Sequence, residues 1–168
     1  MTAENKFFIG FFDSSSCGSE KTWRKSKMED TKKALYFKKV NEEPYAQLLK
    51  IRLKEVSEGY ARCEMDYTAE MDNIYGMAHG GAIFSLIDEA FEISGNSHDR
   101  VAVALNMNVT YMKPPKKNTI LVSESKEIHR SKRTASYTIT VSDPEGLIAV
   151  CQALVYRKDE PIPFLQPF

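Results

Sequence analysis

The sequence carries no surplus charge of either sign. Its 168 residues hold 23 Lys/Arg against 23 Asp/Glu, a formal net charge of zero. That balance excludes a body built wholly to bind nucleic acid or an anionic membrane, though not a local basic patch. Cysteines are few and odd in number. Cys17, Cys63 and Cys151 lack metal-like spacing and offer no disulfide framework. Cys63 and Cys151 sit inside apolar patterns, where a buried thiol is expected, and a reducing cytoplasm suits them. The apolar run Phe7–Phe12 follows Lys6 but stops at Asp13. It is shorter than a signal core or a membrane span. A cytoplasmic protein without membrane attachment is expected. The histidines form no pair at metal-ligand spacing, so no metal is expected, and His98 and His129 read as surface residues. No internal repeat is present.

What is there suffices for one domain: 42% hydrophobic residues can fill a core in a chain of this length. The neutral total hides segregation. Residues 28–100 carry nine Lys/Arg against fourteen Asp/Glu, and residues 101–168 carry nine against six. Residues 1–27, Ser-rich and then charged around Trp23, read as an N-terminal extension, with an integral first element of the domain the equal alternative on composition alone. The domain is expected over 28–160, with an extended arm over 161–168.

From Met28 the pattern has helical character. From Leu49 it alternates strictly, and after Ser57-Glu58-Gly59 it alternates again through Ala61, Cys63, Met65 and Tyr67. This reads as a hairpin with one buried face. Ile83, Leu86, Ile87, Ala90 and Phe91 then form a stripe at three- and four-residue steps, ending around Gly95-Asn96. It is the strongest helix signal in the chain. Four further strands follow: Val101–Tyr111, Ile120 to about His129, Ala135–Val141 and Leu147–Tyr156. The turn Asp143-Pro144-Glu145-Gly146 separates the last two. Hairpin-length connections imply an antiparallel sheet. One long apolar-striped helix must be covered by that sheet, giving an α+β layout with the sheet curved around the helix.

The stretch Asn73 to Asp88 is the most informative. Gly80 and Gly81 stand at the helix start, where backbone N–H groups lack partners and a ligand can approach closely. A carbonyl placed there would be polarised. Asp88 lies about two turns further on, off the apolar stripe, where a carboxylate in a partly dry cleft can act as nucleophile or general base.

The residues Asn73, His79-Gly80-Gly81, Ser85-Leu86 and Asp88-Glu89-Ala90-Phe91 resemble the signature of hotdog-fold acyl-CoA thioesterases of the PaaI-like (phenylacetic acid degradation) group. So do Val103–Tyr111 with Pro114, the string Arg133-Thr134-Ala135 and the closing Ala153–Arg157. The likeness spans roughly residues 44–158. It implies a hotdog fold and a homodimer or homotetramer with the active site between subunits. It further implies hydrolysis of an acyl- or aryl-acyl-CoA to free acid and coenzyme A, with no cofactor beyond the coenzyme A of the substrate. By the same resemblance, the Gly80 N–H polarises the thioester carbonyl and Asn73 helps position the carbonyl or the water. Asp88 of the other subunit is the nucleophile or the base, and His79 holds the loop. Gly81 and Phe84 fall on the substrate side. Some relatives place a hydroxyl on the strand facing the acid; here the nearby positions are Ala104 and Asn106, and Asn106 could substitute. Hydratases of this fold use a His paired with an acid, a pair not found near this helix.

Coenzyme A carries phosphates remote from the thioester. Lys113, Lys116 and Lys117 after the long strand, and Arg130, Lys132 and Arg133 in the next turn, are candidate partners, with Arg133 foremost. Tyr60, Tyr75 and Trp23 read as packing residues, and Met77 and Phe84 as acyl-pocket or core residues. A non-catalytic acyl-CoA-binding or regulatory module is the competing reading. Asp88 at the motif position argues against it.

Overall fold

The computed structural model of the protein describes residues 28–166. The expected extension 1–27, with Cys17 and Trp23, lies outside them. Two helices come first, α1 (Asp30–Glu42) and α2 (Pro44–Leu48). Pro44 opens α2 at a position where its missing N–H costs nothing. Strands β1 (Arg52–Ser57) and β2 (Tyr60–Asp66) form a hairpin. A loop with one 3-10 turn leads to the long helix α3 (Gly80–Asn96). Strands β3 (Arg100–Tyr111), β4 (Ile120–Arg130), β5 (Thr134–Asp143) and β6 (Gly146–Pro161) follow.

All six strands join one antiparallel sheet in the order β1-β2-β4-β5-β6-β3. The sheet curves over α3. Ile83, Leu86, Ile87, Ala90 and Phe91 are all buried, so the stripe read from the sequence is the face the sheet covers. Cys63, Met65, Tyr137, Ile139 and Cys151 meet it from the strands, each essentially without solvent exposure. A side chain at Gly95 would come within 3.2 Å of Val155, which shows how closely the end of α3 approaches β6. The expected strand start at Leu49 is displaced to Arg52. Lys50 has φ 55°, outside the β region, and the Ile51 N–H donates to the Ala46 carbonyl at 2.8 Å. The alternation there belongs partly to a turn.

The hairpin turn holds the other end of α3. Gly59 has φ +69°, and a Cβ there would lie 2.9 Å from Glu127. Its N–H donates to Ser97 Oγ at 2.6 Å, and its carbonyl accepts from the Glu127 N–H at 2.8 Å. His98 is drawn beneath this turn. Its side chain is only 8% exposed and its Nε2 lies 2.8 Å from Glu127 Oε2. The surface role expected for His98 is therefore corrected: the half-buried Glu127 carboxylate holds it, whereas His129 is exposed.

β3 departs most from its sequence pattern. Val103, Leu105 and Tyr111 are exposed, although their alternation suggested a buried face. β3 is an edge strand, paired only with β6, and its register shifts between Arg100 and Ala102 and again between Ala104 and Asn106. Each shift resets which side chains share a face. The C-terminal segment continues β6 to Pro161, then makes one 3-10 turn at Pro163–Leu165 that packs on α1. Ile162 is buried there, and the Phe164 ring meets Tyr36 edge-on at 5.2 Å.

Candidate active site

The start of α3 can be accounted for donor by donor. His79 is the N-cap residue, and its Nδ1 accepts the Gly81 N–H at 2.9 Å. The Ala82 and Ile83 N–H groups both donate to the His79 carbonyl, at 3.0 and 3.4 Å. The Gly80 N–H makes no hydrogen bond among the described residues. A helix start ordinarily leaves several donors open; here the cap leaves this one. Tyr111, at the end of β3, donates its hydroxyl to the Gly80 carbonyl at 3.0 Å and so fixes the first turn from the side. Tyr45 of α2 braces it through Ser85 Oγ at 2.8 Å.

Asn73 shapes the loop before the helix. Its side-chain oxygen accepts the N–H groups of Tyr75 and Met77 at 2.8 and 3.3 Å, an Asx turn. Its amide nitrogen makes no hydrogen bond among the described residues. Tyr75 is 77% exposed in this loop, so the packing role expected for it is corrected. Tyr60 is buried, with its hydroxyl on Glu124 at 2.6 Å.

Asp88 lines a cavity of about 280 Å³ between α3 and the β3–β6 edge, with Phe91, Glu92, Ala102, Ala104 and Val155. The surrounding protein raises the carboxyl of Asp88 above its ordinary range by desolvation. Three further acids gather around it. Glu43, at the α1–α2 junction, and Glu92, one turn along α3, are raised by desolvation and by like charge, although Asp88 and Glu92 keep a solvent-exposed face. Glu89 is 4% exposed, its Oε1 has no partner, and burial with the charges of Glu43, Glu92 and Asp88 pushes it up to about 8. Sequence reading did not single out this cluster. The one signal was Glu92 standing four residues after Asp88, on the same helix face.

Other candidate residues are distributed around these two poles. Gly81 is spent on the cap. Phe84 is half-buried, one helical turn before Asp88, and does not line the cavity at Asp88. The register shift in β3 puts Ala104, and not Asn106, on the cavity wall; Asn106 is exposed beside Leu154. The first basic cluster is largely engaged. Lys113 bonds the Glu145 carbonyl at 2.9 Å, Lys116 pairs with Glu145 at 3.2 Å, and Lys117 pairs with Asp72 at 3.2 Å. In the second, Arg130 pairs with Glu127 at 3.2 Å. Lys132 and Arg133 are exposed and form no ion pair among the described residues. The described residues contain no group of three or more His, Cys, Asp or Glu placed to hold a metal ion.

Gly80 and Asp88 are not brought together within one chain. Eight residues of helix separate them by ~12 Å along the axis. One carbonyl cannot touch both.

Fold and site together describe a thioester hydrolase of the hotdog type, and comparison with known proteins agrees. The sequence profile of the Thioesterase superfamily matches residues 75–150. A putative esterase of Archaeoglobus fulgidus is 38% identical over 143 residues, covering 84% of this chain and 91% of its own. The acyl-coenzyme A thioesterase PaaI of Escherichia coli is 33% identical over 96 residues, covering 57% of this chain and 69% of its own. The structure of the E. coli PaaI protein superposes with a TM-score of 0.74 at 26% identity, over 78% of this chain and 96% of that one. The chain belongs to the thioesterase superfamily, as a PaaI-like hotdog enzyme.

Proposed function

We propose that the protein hydrolyses acyl-CoA thioesters at a site assembled from two copies of the chain. The Gly80 N–H of one copy receives the thioester carbonyl, and the Asn73 amide lies beside it to orient the carbonyl or the water. Asp88 of the other copy attacks, as nucleophile or as the base that activates water. The carbonyl oxygen gains negative charge as the carbon becomes tetrahedral, and an unpaired, fixed N–H stabilises that charge. Collapse expels the coenzyme A thiolate, which takes up a proton. Where water attacks, the acid is left directly; where Asp88 attacks, an anhydride with Asp88 is left that a water molecule then hydrolyses to the acid.

The observation that carries this reading is the donor account at the α3 start, with Asp88 ~12 Å away on the same helix. An antiparallel partner brings one helix start against the other helix's acid. The exposed apolar residues of the β3 edge, Val103 and Leu105, supply a surface for that pairing. Lys113–Lys117 sit near the Gly80 end of β3, whereas Arg133 adjoins Thr134, whose partner Tyr156 pairs with Val103. Pairing of two copies would put both basic groups around one site, with Lys132 and Arg133 free for phosphate.

The test is release of free thiol from acyl-CoA. Asp88→Asn should lose nearly all turnover while remaining folded. Gly80→Pro removes only the proposed donor: proline is favoured at the first helical position, and His79 already has the extended ψ of 132° that a following proline requires. Gly80→Ala keeps the N–H, and its Cβ would meet Tyr111 at an ordinary 3.4 Å. Activity in Gly80→Ala with loss in Gly80→Pro is expected. Wild-type turnover in Asp88→Asn would refute the assignment.

A further inference from the structure

A second cavity, of about 670 Å³, continues from the one at Asp88. The two share Glu92, Asn96, Ala102 and Val103, so they adjoin and together outline a passage along α3 and the start of β3, with the Asn96 side chain bonded to the Ala102 backbone where they meet. Asp88, Glu92 and Asn96 stand four residues apart on one helix face, and the passage follows them for ~12 Å. Its far end is closed by segments outside the helix-and-sheet core. α1 contributes Tyr36 and Val40, and the C-terminal turn contributes Ile162, Pro163 and Phe164.

The lining decides what can enter. Asn96 has no polarity to offer: its Nδ2 is held by the Glu92 carbonyl at 2.9 Å and its Oδ1 by the Ala102 N–H at 2.8 Å. The walls beyond are mainly apolar. Three carboxyl groups line the cavity, Glu42, Glu43 and Glu92, against the Lys39 ammonium, which is itself paired with Glu42 at 3.3 Å. A ligand bearing its own terminal carboxylate would meet like charge there. The volume is within the roughly 300–1,000 Å³ that holds small organic ligands. An acetyl group would leave most of it unfilled. An extended octanoyl chain advances ~1.3 Å for each of its C–C bonds of ~1.5 Å and so spans roughly 9 Å, enough to reach from Asp88 well into the second cavity.

We infer that the acyl group lies in this passage, making the enzyme selective for uncharged medium-length acyl thioesters, with Phe164 as the wall that limits chain length. The inference rests on the reading of Asp88 as the carboxyl at the reacting carbonyl. Phe164 suits the role because it is half-buried, held edge-on against Tyr36 at 5.2 Å, and carried by a short turn.

The test uses the full-length chain and four thioesters, acetyl-, octanoyl-, dodecanoyl- and glutaryl-CoA, followed by thiol release. The wild type should favour octanoyl over both acetyl and glutaryl by roughly tenfold in kcat/KM. Phe164→Ala should raise the ratio of dodecanoyl to octanoyl by roughly fivefold or more. Ala102→Phe, which fills the shared stretch, should lower the ratio of octanoyl to acetyl by roughly tenfold. Comparable wild-type rates on all four, or an unchanged dodecanoyl ratio in folded Phe164→Ala, would overturn the inference and leave the hydrolase standing. Loss of all hydrolysis in Asp88→Asn alongside that result would localise the failure to the passage alone. Absence of hydrolysis of any thioester by the wild type would remove the underlying reading first.

Discussion

Glu89 makes a stability experiment possible that tests the acid cluster without any substrate. Its carboxyl is 4% exposed and has an unpartnered oxygen. Burial, with the charges of Glu43, Glu92 and Asp88, raises it from an ordinary 4.5 to about 8. The folded state therefore holds this proton more tightly than the unfolded state does. Between about pH 4.5 and 8 the folded chain binds more protons, so stability falls as pH rises through that window. At ~1.4 kcal/mol per pH unit the full span is worth at most roughly 5 kcal/mol. Relaxation and water entering a cluster of four acids reduce this to roughly 2 kcal/mol. For a chain of this size that is roughly 4–8 °C in Tm. Glu89→Gln keeps the shape of the protonated acid and cannot ionise. Thermal unfolding of both proteins from pH 5 to 8.5 should show the gap between variant and wild type widening in the variant's favour as pH rises. Asp88, Glu92 and Glu43 impose a slope of the same sign on both proteins, so the difference isolates Glu89. Parallel curves across the range would refute the buried, proton-holding role.

Glu127 has the opposite sign. Burial opposes its ionisation, but hydrogen bonds from His98, Tyr137 and Arg130 hold its carboxyl down at about 2. Its contribution is present above about 4.5 and lost as pH falls toward 2. Glu127→Gln should lower Tm at pH 7 and flatten the acid limb of a melting series between pH 2.5 and 6; an unchanged acid limb would refute the linkage. The open cations supply a binding prediction. Lys132→Ala with Arg133→Ala should raise KM for acyl-CoA several-fold with little change in kcat, and the effect should shrink as salt rises. An unaltered KM at low salt would move phosphate recognition elsewhere.

Much of the architecture was legible because local pattern and tertiary need agree. The stripe from Ile83 to Phe91 is what the sheet covers, and Asp143–Gly146 turns where proline and glycine say it should. Sequence failed where a backbone irregularity resets a simple period. Lys50, at positive φ, cuts the alternation before β1, and two register shifts break that of β3. The latter decide a site detail, since they put Ala104 rather than Asn106 on the wall beside Asp88. The positions of Gly80 and Asp88 on one helix were readable, and their ~12 Å separation follows from helix geometry. The raised carboxyl of Glu89 was not readable, because one of the charges that crowd it, Glu43, lies far back in the sequence at the α1–α2 junction. His98 was hidden for the same reason: its partner Glu127 lies 29 residues away.

The segregation of charge along the chain acquires a physical sense once the acids are seen together. Asp88, Glu89, Glu92 and Glu43 all lie in the acidic middle of the sequence, and each raises the others or is raised by burial. Four full charges beside the carbonyl proposed to react at Asp88 would repel a substrate that carries several phosphates. Crowding them lowers that charge, because each proton retained by Glu89 spares Asp88 a like-charged neighbour. The open cations, Lys132 and Arg133, come from the basic C-terminal part and sit on the turn between β4 and β5, on a different element from the acid cluster. A ligand with an anionic end and a neutral reacting end is suited by this division. The same chain with acids and bases evenly mixed would have the same zero net charge and no such preference.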